Sequence, residues 1–383
     1  MDFNLTEDQC AFRDMARSFG QEVFAPHADT WDEEKIFPVD ELRQAAELGF
    51  AGIYVGEEYG GSNLTRLDAA IIFEELAAGC TSTAAYISIH NMATWMIDRF
   101  GSDVVRGKFL PKLTTMEHFA SYCLTEPGAG SDAASLTTRA VRDGDHYVID
   151  GGKAFISGGG RSDVYVTMVR TGDEGAGGIS CIVIPNDTPG LSFGAQERKM
   201  GWNSQPTAQV LFDGCRVPVE NLVGKEGEGF KIAMMGLDGG RLNIGACSLG
   251  AARACLEAAQ EYTADRKQFG APIGHLQAVQ FTLADMATEL EAARLMIRQA
   301  AAKLDAKDRE ATLFCAMAKR FATDVGFKVC NEALQLHGGY GYLKDFPIER
   351  FVRDTRVHQI LEGTNEIMRV VISRKLQDGQ GRG

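Results

Sequence analysis

Apolar residues recur at helical spacing along the first third of the chain. Thr6 stands where an N-cap belongs, ahead of "EDQCAFRDMARSFGQEVFAP", in which Phe12, Met15, Ala16 and Phe19 share one face. "LDAAIIFEELAAG" (67–79) and "TAAYISIHNMATWMIDRFG" (83–101) continue the pattern. Between about 119 and 225 the texture changes to short β-type runs separated by Gly, Asp and Asn: "FASYCLTE", "HYVIDGGKAFIS", "DVYVTMVR", "ISCIVIP" and "AQVLFDGCRVP". Runs joined by turns this short predict an antiparallel sheet or small barrel, not alternating βαβ units. From about 226 the helical period returns in two long stretches, "LQAVQFTLADMATELEAARLMIRQAAAKL" and "ATLFCAMAKRFATDVGFKVCNEALQLHGG". Their Ala, Leu and Met content suits the core of a bundle. The pattern therefore predicts an α+β chain in three parts: a helical domain over 1–118, a β domain over 119–225 and a helical bundle over 226–383.

Composition narrows the function classes. A length of 383 residues exceeds what one core usually fills, in keeping with several domains. A formal charge of −13 argues against nucleic acid as a partner, since phosphate binding needs a basic surface. The nine cysteines are scattered, odd in number and without a CxxC, which reads as free thiols in a reducing compartment. The seven histidines have no ligand spacing, so no metal site is expected. The first residues lack a basic region followed by an apolar run, and no apolar run approaches the roughly 20 residues of a membrane span. A cytoplasmic, bacterial protein is expected, with no membrane partner and a frayed tail, "QDGQGRG".

"GAGSDA" (128–133) satisfies a loose dinucleotide fingerprint, with Asp150 at a suitable distance. Strands and turns follow it rather than a long helix, and Pro127 precedes it, so a Rossmann domain is rejected. The glycines still allow a ligand's polar groups to approach the backbone.

Two longer motifs carry a resemblance. "CLTEPGAGSDAAS" (123–135) is similar to the first signature of the acyl-CoA dehydrogenases. "QLHGGYGYLKDFPIERFVRD" (335–354) resembles their second, through Gln335, Gly338, Gly339, Gly341, Asp345, Arg350 and Asp354. Within that family, "GWNSQPT", "DGGR" (238–241), "LADMATELEAARLMIRQAA" and "VHQILEGTNEIM" look most like members acting on isobutyryl-CoA in valine degradation. The resemblance spans the chain and implies an N-terminal helical domain, a middle antiparallel β domain and a C-terminal four-helix bundle. It implies FAD as cofactor, a short branched acyl-CoA as substrate, an electron-transfer flavoprotein as partner and a homotetramer.

The resemblance also assigns residues. Tyr122, Cys123, Leu124, Thr125, Gly130 and Ser131 would lie along the flavin and thioester, with Phe155, Ile156 and Ser157 at the isoalloxazine. Arg266 and Phe269 of "DRKQFG", with Leu276, Gln277, Gln335, Gly338 and Gly339, would reach a neighbouring subunit's FAD. Thr364, Asn365 and Glu366 would offer the last helix start to the cofactor. Ser131, Asp238, Gly239, Gly240, Arg241, Gly363 and Arg374 would hold substrate. Taken alone, most of these read as ordinary strand core, solvated surface or helix caps.

Glu362, in "QILEGTNEIM", fills the position of the family's base. Removing the proton next to a thioester carbonyl needs a carboxylate in a dry site, and Ile360 and Leu361 are expected to supply that dryness. Some relatives carry the base on another helix, and here Gly240 takes that place and cannot accept a proton. Leu361 stands where many short- and medium-chain relatives have Tyr, so the acyl pocket differs from theirs. A 2-methylbutyryl- or butyryl-CoA dehydrogenase, an acyl-CoA oxidase and a catalytically silent binding module are the competing readings.

Overall fold

The computed structural model describes residues 4–380. Capping chemistry marks the first helices. Thr6 and Gln9 form a reciprocal box that opens α1 (Glu7–Phe19), and Thr65 with Asp68 does the same for α4 (Arg66–Gly79). Between them lie α2 (Ala28–Glu34) and α3 (Val39–Glu47). Next come α5 (Thr81–Phe100), buried along most of its length, and α6 (Asp103–Leu113), capped by Ser102.

Eight strands follow: β1 (Ala120–Cys123), β2 (Arg139–Asp143), β3 (His146–Ser157), β4 (Val164–Arg170), β5 (Ile179–Pro185), β6 (Leu191–Phe193), β7 (Thr207–Pro218) and β8 (Leu222–Val223). Their order is β6-β7-β3-β2-β4-β5-β8, with β1 paired to β4. Most pairs are antiparallel, as expected, but β1 lies parallel to β4, and β2 meets β4 in parallel at Arg139 and Arg170. The long excursion through the β2–β3 hairpin supplies the crossover that a parallel pair needs. No helix follows the "GAGSDA" glycines; a loop and a single 3₁₀ turn lead into β2.

The long helices are α7 (Gly229–Asp265), α8 (Gln277–Asp305) and α9 (Ala311–His337), with the short hairpin β9 (Lys267–Gln268) and β10 (Ala271–Pro272) between α7 and α8. The chain closes with α10 (Ile348–Arg356) and α11 (Asn365–Gln380). The tail expected to fray is helical through Gln380, and 381–383 lie outside the described residues.

The two helical regions share a core. Phe73, Leu76 and Ile87 of the first pack in one cluster with Leu242, Cys247, Ile297 and Val329 of the second. Ion pairs reinforce the join: Glu75 accepts from Arg17 and Arg253, and Glu74 accepts from Arg294 at 2.9 Å. Separate cores lie inside the sheet, around Tyr147, Tyr165 and Val217, and between the sheet and α5, α6 and α7.

Candidate active site

The turn between α10 and α11 carries Glu362. The backbone N–H groups of Ile360 and Leu361 both donate to the Val357 carbonyl, at 2.8 and 3.0 Å, which ends the regular helix. Glu362 and Gly363 then take left-handed backbone angles in succession (φ 56° and 87°). Thr364 restarts the chain as α11, its hydroxyl accepting from the Ile367 N–H at 3.3 Å. Two left-handed residues reverse the chain direction and send the Glu362 side chain back across α7. A non-glycine residue there is strained, which the surroundings must offset.

Glu362 lies against α7 at the residue suggested by the sequence. A Cβ placed on Gly240 would stand 2.5 Å from Glu362 Oε2 and 2.9 Å from Met92 Sδ of α5. Oε2 is buried and has no hydrogen-bond partner among the described residues. Burial raises the Glu362 carboxyl to about 7, against the opposing charges of Arg241 and Lys319. Leu361 packs at the edge of the helical core, but Ile360 is exposed. The dryness expected of both neighbours therefore comes from Leu361 together with α5 and α7.

Arg241 and Asp238, one turn apart on α7, form a buried pair at 2.7 Å. Arg241 also donates to the Glu362 backbone carbonyl at 3.3 Å, and Thr312 donates to the other Asp238 oxygen at 2.7 Å. Gly239 faces away from this group: the Arg66 guanidinium fills its open side, stacked over the Tyr54 ring at 3.5 Å. Arg374 is exposed on α11, well beyond the turn.

On the β side, Tyr122 Oη is buried and unpartnered, and burial together with the Glu362 charge raises the phenol well above its ordinary range. The Cys123 side chain points into the sheet core and the Leu124 side chain is buried, so neither side chain is presented to a ligand. The Thr125 carbonyl accepts from the Ala154 N–H at 2.8 Å, which ties the glycine loop to β3. Ser131 is exposed, and a Cβ on Gly130 would meet nothing within 4 Å. A register shift in β3 puts Phe155 in the left-handed region, 68% exposed, between buried Ala154 and Ile156. Ser157 is half-buried and its carbonyl accepts from Ser121 Oγ at 2.5 Å.

The remaining assigned residues gather elsewhere. Arg266 sits over the Tyr340 ring at 5.5 Å, beside Gly338 and Gly339, which line a pocket with His337 and Tyr262. Phe269, at the tip of the β9–β10 hairpin, is 94% exposed; Leu276, Gln277 and Gln335 are exposed as well. Lys319, which bonds the base turn, and Gly338 lie 338 − 319 = 19 residues apart along α9, roughly 28 Å at 1.5 Å per residue. One chain thus presents two separate groups, one around Glu362 and one around Arg266.

Three functional-looking side chains escaped the sequence reading. Buried Glu126 accepts from the Thr137 and Thr138 N–H groups at 2.7 and 2.9 Å and from Lys153 Nζ at 2.7 Å, organising the glycine loop. Burial alone would raise its carboxyl; the Lys153 charge and these donors outweigh that and hold it at about 2. Arg66 and Lys319 are the others. Both are buried cations with no sequence neighbour to betray them; an unpaired Lys or Arg inside an apolar helix period is the only available signal.

The chain matches family models along nearly its whole length: acyl-CoA dehydrogenase N-terminal domain over residues 6–117, middle domain over 121–215 and C-terminal domain over 227–377. It belongs to the acyl-CoA dehydrogenase family. The isobutyryl-CoA dehydrogenases named as mitochondrial from Dictyostelium discoideum and Bos taurus are 61% and 59% identical to it. Each match covers 97% of this chain, and 90% and 89% of the relatives. The solved butyryl-CoA dehydrogenase of Megasphaera elsdenii is 39% identical with a TM-score of 0.95, covering 98% of this chain and 100% of that one.

The chain is thus an FAD-dependent acyl-CoA dehydrogenase, and its residues fit the cofactor. Open glycine backbones at Gly128, Gly130, Gly338 and Gly339 leave room for it, and exposed Phe155 offers an apolar face. Two relatives at about 60% identity are mitochondrial eukaryotic proteins, so the bacterial source expected from the sequence gains no support from them. Among the described residues no helix is long and apolar enough to cross a membrane.

Proposed function

We propose that this acyl-CoA dehydrogenase acts on a short branched thioester, converting isobutyryl-CoA to methacrylyl-CoA in valine degradation, with Glu362 as the base. The observation that carries the base assignment is the buried, unpartnered Glu362 Oε2 lying on Gly240. An unpaired buried carboxylate oxygen is costly to keep, which suits a group reserved for a substrate proton. Glu362 takes the proton from the α-carbon, and the electron pair left behind forms the α,β double bond as a hydride departs from the β-carbon. FAD, held as the resemblance implies along 122–131 and Phe155, would supply the hydride acceptor, and an electron-transfer flavoprotein is the electron acceptor that the resemblance implies. The Arg241–Asp238 pair, through the Glu362 carbonyl, fixes the orientation of the base. Because the acid is raised to about 7, the ionised, working form dominates only above that pH, so kcat/KM should rise as pH passes through it.

The branched substrate is supported by Leu361 in place of Tyr and by the relatives' names. Nine free thiols, eight of them buried, suit a reducing compartment, a condition that cytoplasm and mitochondrial matrix both satisfy. Anaerobic stopped-flow flavin reduction across a panel of acyl-CoAs tests the reading. The highest kcat/KM is expected with isobutyryl-CoA, with 2-methylbutyryl- and butyryl-CoA behind by ~10–200-fold per misfitted methylene. Glu362→Gln should lose ~10²–10⁴-fold or more while still binding FAD. A preference for octanoyl-CoA overturns the substrate, and near wild-type reduction by Glu362→Gln overturns the base.

A further inference from the structure

Lys319, on α9, has no exposed surface at all. Its ammonium donates to the Gly363 carbonyl at 2.8 Å and to Asn365 Oδ1 at 2.9 Å. Both acceptors flank the strained Glu362 turn. Asn365 is gripped from α9 a second time, donating to Asp324 Oδ1 at 2.7 Å and to Thr323 Oγ1 at 3.0 Å. A neutral donor could satisfy the same two acceptors without the cost of burying a charge. The use of lysine therefore needs a reason, and the charges around it supply one. Glu362 faces it from the turn, Arg241 from α7, Asp324 from α9 and Glu366 from α11. His358, just before the turn, is kept neutral: burial and then the Lys319 charge push it down to about 3. Glu362 Oε2 has no donor of its own, so its ionised form depends on the nearby charges of Arg241 and Lys319.

We propose that Lys319 is a positioning residue for proton abstraction: its two hydrogen bonds hold the Glu362–Gly363 turn and fix a buried cation beside the base. This rests on Glu362 being the base. Without the cation, Arg241 alone opposes burial, and at neutral pH a larger share of Glu362 is protonated and idle. Burial also pushes the Lys319 ammonium down to about 7, while the Glu362 charge holds it up. The two groups thus exchange their charges over one pH range, and the limb of the pH profile belongs to the pair.

The test uses the FAD-loaded enzyme and two readouts. The first is the pH dependence of kcat/KM for isobutyryl-CoA, which reports the free enzyme's base. Lys319→Gln and Lys319→Met should move the acid limb upward by about one pH unit, a tenfold rise in proton affinity. The second is hydrogen exchange of residues 360–366. Exchange should rise about tenfold in Lys319→Met, which has no donor, and stay near wild type in Lys319→Gln. A limb unmoved in both variants, or exchange unmoved in Lys319→Met, overturns the proposal. If neither variant folds, Lys319→Arg decides: its fixed charge should keep the limb at or below the wild-type pH, and an upward shift overturns the proposal. Failure of the base assignment looks different, since Glu362→Gln would then still reduce its flavin.

Discussion

A Cβ on Gly240 would point at the Glu362 carboxylate from 2.5 Å away, so α7 and the α10–α11 turn address one point in space from two sides. An acid on either element could serve the same α-carbon, but not on both, because the volume holds one carboxylate. Glycine is required at 240 for that steric reason, although its helical backbone would accept any residue. The base should therefore be transferable. Gly240→Glu together with Glu362→Gly removes the carboxylate that Glu362→Gln would still leave as an amide, so that only the flexible Met92 side chain has to shift, and glycine also relieves the left-handed strain at 362. We expect the double variant to reduce flavin at least tenfold faster than Glu362→Gly alone, measured anaerobically with isobutyryl-CoA. Equal rates would mean that the two elements do not share a reacting point.

At the scale of the element, β3 does more than pair with β2 and β7. Its register shift turns Phe155 out to the surface, and two residues earlier Lys153 points inward to Glu126. Lys153 Nζ also donates to the Leu124 carbonyl at 3.1 Å, so one strand anchors the chain entering the glycine loop at two points. Lys153→Met removes the countercharge but leaves Glu126 with its donors from 137 and 138. The loss should be about 3 kcal/mol, the low end for a buried pair broken on one side. The sign with pH follows: without the Lys153 charge and hydrogen bond the Glu126 carboxyl rises from about 2, so the penalty is full at neutral pH and fades as acid protonates it. Denaturant unfolding of wild type and variant at pH 7 and pH 4 checks this; an equal gap at both would mean that lost packing, not charge, is responsible.

For the whole molecule, the telling feature is the pair of separated groups. Phe269, Leu276 and Phe281 leave three large apolar side chains exposed around the α7–α8 corner. Together with the separation of the Arg266 group from the Glu362 turn, this fits an enzyme completed by a neighbouring copy, as the resemblance implies for the cofactor. The Arg266 side chain is exposed and stacks only on Tyr340, so its removal should not disturb the fold. Arg266→Ala should retain FAD at least tenfold less tightly, by flavin release on dilution, with an unchanged far-ultraviolet spectrum. A monomer by sedimentation that keeps FAD fully bound would exclude a site shared between copies.

The three-part α, β, α texture, the capped start of α1 and the motif carrying Glu362 were all legible in the sequence. Each is local: hydrophobic period, caps and short motifs depend on residues a few positions apart. Whatever depends on distant residues was hidden. The common core of the two helical regions, the parallel β1–β4 pair and the inward turn of Lys153 all join segments tens to hundreds of residues apart. So do the meetings of Lys319 with Gly363 and of Arg66 with Gly239. Most telling is Glu362 itself. Its identity as an acid was written in the chain, but its proton affinity comes from a buried surface built by α5, α7 and α9, because desolvation is a property of the folded surroundings.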